Sequence, residues 1–363
     1  MPPTRTVKAL VRAPNAGAPA RPKVRIEEVA KLAQVSAATV SRALNNPGLV
    51  STALREKVDA AAQALGYVAH GAARALASRR SLAFGVLVPT FANTIFADAI
   101  AAFQRRLEAE NYTMLLAAFD YDQEVEYRSA RTMVERGVDG LMLVGVTHDA
   151  RLFALLEASA VPFVQTWAPA KDSPHPTIGY DNAALARMVV DHLVGLGHRD
   201  IGMVAGFTDN NDRVRSRIAG IRATLRRHGL PFEQSRIVFT EYRIESVRAA
   251  FRELQQRGPL PTALVANNDI VALGLLLEAQ AQGIAVPQLL SIVGVGDLEI
   301  AANLHPALTT VRTPKHRIGT LAAEYLLARI QGRAFSLPAA LPLELMVRGT
   351  TAPPPASRKD PSP

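Results

Sequence analysis

None of the 363 residues is cysteine, which excludes disulfides, thiolate metal sites and thiol catalysis. No apolar run reaches the roughly 18–20 residues of a membrane span. The N-terminus carries basic residues and prolines without an apolar core segment, so it does not read as a secretory signal and a cytoplasmic protein is expected. Catalytic signatures are missing as well. Asp120-Tyr121-Asp122 and Asn267-Asn268-Asp269 have no metal-ligand spacing around them, and Gly202–Gly206 lacks the rest of a dinucleotide fingerprint. His192 and His198 flank a helix end, where capping or packing is the ordinary role. No nucleophile–base constellation is present, so no enzyme activity, metal or cofactor is expected.

What is present is a soluble, globular composition, 48% hydrophobic and 20% charged. The chain is too long for one small core, and two or three units are expected. Its net charge of +9 is unevenly placed. The first 80 residues hold 13 Lys/Arg against 4 Asp/Glu, while the remainder holds 28 of each. A concentrated positive field of this kind favours a polyanion.

Beside that charge, Val24–Tyr67 reads as three helices. Ile26–Ala33 places Ile26, Val29, Ala30 and Ala33 on one face, and Ala37–Leu44 turns Val40, Ala43 and Leu44 inward. Thr52–Leu65, with Ser51 as its expected cap, turns Ala53, Leu54, Val58, Ala61 and Leu65 inward, and Gly66 stops it. The first two helices are joined by a three-residue turn, Gln34-Val35-Ser36. Ser36 is placed to cap the second helix, and its hydroxyl and the first amides suit a phosphate. Ala37 and Ala38 open the outer face, small enough for close approach to thymine methyls, and Arg42 one turn on suits a guanine edge. Thr39, Ser41 and Asn45 suit phosphate oxygens. This is a helix shaped to enter a DNA groove.

From Leu82 onward short apolar runs alternate with helical patterns. The runs are Phe84–Pro89, Thr113–Phe119, Gly140–Val146, Pro162–Thr166, Ile201–Gly206, Arg236–Thr240, Ala263–Ala266 and Ser291–Val295. Between them lie helical stretches such as Phe96–Ala109, Ala183–Leu196, Val214–His228 and Ile270–Gln282. This alternation predicts an α/β class of parallel sheets, divided between two lobes. Ligands in such folds bind outside the carboxyl ends of strands. The segments 1–22 and 352–363, rich in proline and small residues, are expected to be disordered.

Val24–Tyr67 resembles the headpiece of the lactose-repressor (LacI) family of bacterial regulators, through Val29-Ala30, Val35-Ser36, Thr39-Val40-Ser41-Arg42, Leu44-Asn45 and Leu65-Gly66-Tyr67. It departs at Gln34, where the family usually has glycine. The later chain is similar to the family's effector-binding core, itself similar to periplasmic sugar-binding proteins. The matching landmarks are His192-Leu193-x-x-Leu196-Gly197-His198, Asn268-Asp269-x-x-Ala272-x-Gly274, Val293-Gly294-x-Gly296-Asp297 and Pro306-x-Leu308-Thr309-Thr310-Val311. The resemblance implies a helix-turn-helix domain over 23–69, a hinge helix and linker over 70–81, and a two-lobed periplasmic-binding-protein-like core over 82–351. The first lobe would span about 82–179 and 311–336, the second about 180–310 and 337–351. In the hinge, Ala72–Ser78, the resemblance implies contacts to DNA from Ala73 and Leu76, with Leu76 wedged into a base step in the minor groove.

For the core, the resemblance implies an effector pocket containing Asn93, Ile95, Phe96, Trp167, Arg217, Tyr242, Asn268 and Asp297, with Asp120 a weaker member. Aromatic faces at Trp167 and Tyr242 suit the apolar side of a sugar. Arg213 lies four residues before Arg217 and shares its helix face. Such an arginine pair at a helix N-terminus suits a carboxylate, so a sugar acid such as gluconate is the expected effector. A neutral sugar or nucleoside-type ligand is the alternative, and the competing role for Arg213 and Arg215 is pairing with surface acids such as Asp212. A solute-binding protein with no regulatory role would account for the core but not for the headpiece. The expectation is a homodimeric repressor on a pseudo-palindromic operator, with effector binding coupled to the hinge.

Overall fold

In the computed structural model the residues described are 24–45, 47–68, 80–91 and 93–356, excluding the side chains of 45 and 47. They form two compact units, one within 1–79 and one within 80–363. The hinge residues Ala73 and Leu76 lie outside the described residues, as does the side chain of Asn45.

The first unit contains α1 (Ile26–Ala33), α2 (Ala37–Asn45) and α3 (Thr52–Leu65). Their small core is Val29, Ala30, Ala33, Val40, Ala43, Val58, Ala61 and Ala62. Ala53 was expected inward but is exposed, because the buried stripe of α3 begins a turn later, at Val58. Ser51 occupies the N-cap position of α3 but its side chain makes no cap bond. Its carbonyl instead accepts from the amides of Leu54 and Arg55. Gly66 ends the helix in the left-handed region at φ 63°.

The second unit holds two sheets. The first has the order β2 (Thr113–Ala118), β1 (Ala83–Val88), β3 (Leu141–Val144), β4 (Phe163–Thr166), β5 (Thr177–Ile178), all parallel. Parallel strands are buried on both faces and so read as continuous apolar runs. Phe84, Val86 and Met142 pack beneath α4 (Ala97–Glu108) and α12 (Lys315–Ile330). On the opposite face Leu87, Leu141 and Leu143 pack with Met133 of α5 (Gln123–Glu135) and Leu152 of α6 (Ala150–Ala158).

The second sheet has the order β11 (Glu344–Met346), β10 (Thr309–Arg312), β9 (Ser291–Gly296), β8 (Ala263–Ala266), β6 (Ile201–Ala205), β7 (Ile237–Phe239). Only β11 is antiparallel. Its faces are covered by α7 (Asn182–Gly195) and α8 (Asp212–Arg227) on one side. On the other lie α9 (Ile244–Gln256) and α10 (Asp269–Ala281). A short helix, α11 (Glu299–Asn303), follows β9. The chain crosses between sheets three times: after β5, after β10 towards α12, and before β11.

Two landmark motifs have structural explanations here. A Cβ on Gly294 would lie 2.3 Å from Asp269 Oδ1, so the glycine leaves room for a buried carboxylate. That carboxylate accepts from the Thr310 hydroxyl at 2.6 Å and the Leu298 amide at 2.7 Å. His198 is buried, with Nδ1 2.9 Å from the Thr262 hydroxyl and Nε2 2.9 Å from the Ala352 carbonyl oxygen. Ala352 also donates its amide to the Ser291 hydroxyl, and Pro354 is buried against Gly197. The tail expected to be disordered from 352 is therefore packed as far as Pro354, because its backbone satisfies a buried histidine. No helix among the described residues is long and apolar enough to cross a membrane.

Candidate DNA-reading face and effector cleft

In the first unit, the turn before α2 is closed by the amides of Gln34 and Val35, which donate to the carbonyls of Lys31 and Ala30. Gln34 is left-handed at φ 54°, a conformation that costs a residue with a Cβ about 1–2 kcal/mol. Ser36 caps α2: its hydroxyl accepts from the Thr39 amide at 3.1 Å and lies 2.8 Å from the Thr39 hydroxyl. Ala38 and Arg42 are exposed one turn apart, whereas Ala37 is half-buried and packs on the small core. Ser41 is half-buried. Residues 24–68 hold five Lys/Arg against four Asp/Glu, so the other eight cations of the first 80 residues flank this unit in sequence.

In the second unit, a cleft gathers residues from the segments that follow strand ends of both sheets. Asn93, Ile95 and Phe96 follow β1, Tyr121 follows β2 and Trp167 follows β4. From the other sheet come Asn211, Arg213, Val214 and Arg217 after β6, Tyr242 after β7, and Asn267 and Asn268 after β8. Of the residues expected in a pocket, Asn93, Ile95, Phe96, Trp167, Arg213, Arg217, Tyr242 and Asn268 are brought together here. Tyr121, Asn211, Asn267 and Val214 were not anticipated.

Asp297 is not in the cleft. Its carboxylate accepts from Arg348 and Arg312, each at 2.7 Å, and those two cations hold it below its ordinary pKa against the opposing effect of burial. It borders a different cavity, with Lys315 and Arg317. Asp120 also lies outside the inner cleft and is exposed in an adjoining chamber. Asp120 and Tyr121 are both left-handed, at φ 47° and 61°, and this turn sends the tyrosine rather than the aspartate inward.

Arg217 is 5% exposed. Its Nε donates to Asn182 Oδ1 at 2.9 Å, and its terminal nitrogens donate to the Asn267 carbonyl at 2.6 Å and the Tyr180 hydroxyl at 3.2 Å. All these partners are neutral, so the buried charge has no counter-ion among the described residues. Arg213 is 6% exposed and pairs with Asp212 at 2.9 Å. Burial opposes its charge, but Asp212, Tyr121 and Tyr242 outweigh that and hold its pKa above the ordinary value. Burial pushes the Tyr121 hydroxyl up, with Tyr242 adding to it and Arg213 opposing. The tyrosine is therefore a neutral donor or acceptor at physiological pH.

Three polar atoms of residues on the cleft wall are buried without a hydrogen-bond partner among the described residues: Trp167 Nε1, Asn211 Oδ1 and one terminal nitrogen of Arg213. Buried polar groups are ordinarily satisfied, and each unsatisfied one costs about 1–3 kcal/mol. Two donors and one acceptor among the lining residues are thus left unsatisfied. Trp167 is itself left-handed at φ 64° and stands edge-on to Phe96, 5.0 Å between centroids.

Side-chain hydrogen bonds tie the two lobes around this cleft. Asn268 Nδ2 donates to Asn93 Oδ1 at 3.1 Å, and Asn210 Nδ2 donates to the Tyr121 carbonyl at 2.8 Å. Arg215 donates to the Thr147 hydroxyl at 2.7 Å, and the Val146 amide donates to Asp212 Oδ1 at 3.3 Å. Gly145, at φ 95°, permits this closeness, since a Cβ there would lie 2.1 Å from Arg213 Nη1. A Cβ on Gly206 would similarly meet the Tyr242 hydroxyl at 2.1 Å.

A family profile described as "Bacterial regulatory proteins, lacI family" matches residues 25–70, and one described as "Periplasmic binding protein-like domain" matches residues 190–351. HTH-type transcriptional regulator GntR of Escherichia coli K12 is 32% identical over 312 residues, covering 85% of this chain and 92% of that protein. HTH-type transcriptional repressor CytR of the same strain is 30% identical, covering 90% and 96%. Among solved structures, the lac repressor dimer bound to operator and the anti-inducer ONPF superposes with a TM-score of 0.79 at 28% identity, over 91% of this chain and 100% of that one. The transcriptional regulator CelR in complex with cellobiose superposes with a TM-score of 0.66 at 28% identity, over 90% and 99%.

Proposed function

Because the chain belongs to the LacI family of DNA-binding transcriptional regulators, we propose that it is a homodimeric repressor whose operator affinity is set by a sugar acid, such as gluconate, bound in the interlobe cleft. The observation that carries the acid is the buried Arg217, whose partners are all neutral, beside an Arg213 nitrogen with no partner. A carboxylate there accepts charge-assisted hydrogen bonds and supplies the missing counter-charge. The carboxylate also accepts from Trp167 Nε1, the hydroxyl next to it donates to Asn211 Oδ1, and Phe96 and Trp167 offer apolar faces.

Operator contact is assigned to α2. Ala38 and Arg42 face the major groove, while Ala37, at the base of that face, and the hydroxyl residues Ser36, Thr39 and Ser41, with Asn45, border the phosphates. Ala73 and Leu76 are assigned to the minor groove on the family resemblance alone. Effector binding acts by its difference in affinity for two arrangements of the lobes, and the cross-lobe bonds of Asn268, Asn210 and Arg215 are the contacts that such a change must remake.

The second reading is a neutral sugar, favoured by the aromatic lining and by the cellobiose complex reported for the related CelR. A thermal-shift screen of the full chain against sugar acids and neutral sugars separates the two, since stabilisation follows ligand concentration over Kd. Stabilisation by gluconate and not by its neutral alditol supports the acid. The reverse pattern rejects it.

A further inference from the structure

The cleft has two chambers of opposite character. The inner one has a volume of about 20 Å³, room for about one water molecule. An outer chamber of about 450 Å³ adjoins it, and Tyr121 and Tyr242 line both. The tyrosines are held in place: Asn210 grips the Tyr121 carbonyl, and the Tyr242 hydroxyl accepts from Asn267 Nδ2 at 2.9 Å. The outer volume falls within the range of about 300–1,000 Å³ typical of small-molecule sites, and the inner one accommodates no more than a terminal group. A six-carbon acid therefore enters with its carboxylate at the arginines and its chain among the outer residues.

The outer wall has the opposite charge. Asp120, Asp209 and Glu241 line it, against the single cation Arg243. All three carboxylates are exposed, and none has a cation within 4 Å among the described residues. Ionised carboxylates only accept hydrogen bonds, so this wall suits hydroxyl donors and opposes a second anionic group. Specificity of this kind comes as much from the repelled competitor as from the accepted ligand.

We propose that the outer chamber is a polyol subsite that makes the protein selective for aldonic acids, with one terminal carboxylate, over aldaric acids, with two. This rests on the reading of the cleft as a sugar-acid site. The test is calorimetric titration of the full chain with D-gluconate and D-glucarate, which share a six-carbon chain and differ in the second carboxylate. Gluconate is expected to bind at least tenfold more tightly. In the double variant Asp120→Asn, Glu241→Gln the preference should fall below threefold, because the acceptor oxygens remain and two of the three repelling charges are removed. Both side chains are exposed, and asparagine tolerates the left-handed backbone at 120, so the variant's unfolding curve serves as the folding control. Equal affinity for the two acids in the wild type overturns the subsite but leaves the sugar-acid reading standing, as does a preference that the double variant leaves unchanged. If neither acid binds, both readings fall.

Discussion

Replacing Trp167 by phenylalanine separates the fold from the site. The indole is 1% exposed and its nitrogen has no partner among the described residues. Its removal relieves a desolvated donor, worth about 1–3 kcal/mol. Against this stands the loss of the second ring: a residual cavity of roughly 40 Å³ costs about 1 kcal/mol, and the lost apolar carbons cost about 1–2 kcal/mol more. The left-handed backbone at φ 64° is retained in both proteins, and so is the edge-on contact with Phe96. The two effects nearly cancel, so the ligand-free variant should match wild-type stability to within about 1 kcal/mol, a shift of roughly 2–4 °C or less in Tm. Effector affinity should not be spared. A hydrogen bond from the indole to an oxygen of an anionic ligand contributes about 1.5–3 kcal/mol, or roughly tenfold to a hundredfold in Kd. Calorimetric titration with gluconate reads the affinity directly, and thermal unfolding of the apo variant reads the fold. A folded variant that binds within twofold of wild type refutes the assignment of Trp167 to the effector.

Other perturbations follow from the same geometry. Gly145→Ala places a Cβ 2.1 Å from Arg213 Nη1 at φ 95°. It should cost about 1–3 kcal/mol of stability and weaken effector binding, both visible in a ligand-dependent thermal shift. Arg42→Ala, on an exposed helix face, should leave Tm unchanged while weakening operator binding by about 1–3 kcal/mol in a gel shift. Burial lowers the pKa of His198, with the Ala352 carbonyl partly opposing. The folded pKa lies below the unfolded value of about 6.5, so stability is fully present above that pH and is lost as pH falls towards the folded value. Tm should therefore decline between pH 7 and 5, and His198→Gln should flatten that decline while lowering Tm throughout.

The helix-turn-helix unit and the strand–helix alternation were legible because each rests on local periodicity, with period 3.6 in α2 and continuous apolar runs in β1, β3 and β8. The strands β5, β10 and β11 escaped notice for a physical reason. β5 has two residues, and β11 is a half-buried antiparallel edge without an apolar run. β10 keeps to the second sheet through Arg312, two residues beyond the lobe boundary expected after 310. The pocket was read from the segments that follow strand ends, a rule that placed Trp167 and Asn268 but passed over Asn267, the first residue after β8. Asp297 satisfies that rule and still fails, because Arg312 and Arg348 neutralise it from distant positions. Tyr121 was hidden by its neighbour: the turn holding both residues has two left-handed positions in succession, and sequence spacing does not show which side chain such a turn sends inward. Asn211 donates its side-chain amide to the Phe207 carbonyl and leaves its oxygen unpaired among the described residues, which no local pattern announces.

The central claim is that a DNA-reading unit answers to an acid in the cleft. Its most direct test is to select duplexes from a random pool with the full chain, then measure the affinity of the enriched sequence with and without gluconate at fixed salt. The account predicts an enriched pseudo-palindrome whose affinity changes at least fivefold on adding gluconate, a coupling of about 1 kcal/mol or more, with that change lost in Arg217→Ala while bare operator binding persists. Enrichment of no palindrome, or an operator affinity indifferent to gluconate in the wild type, would contradict it.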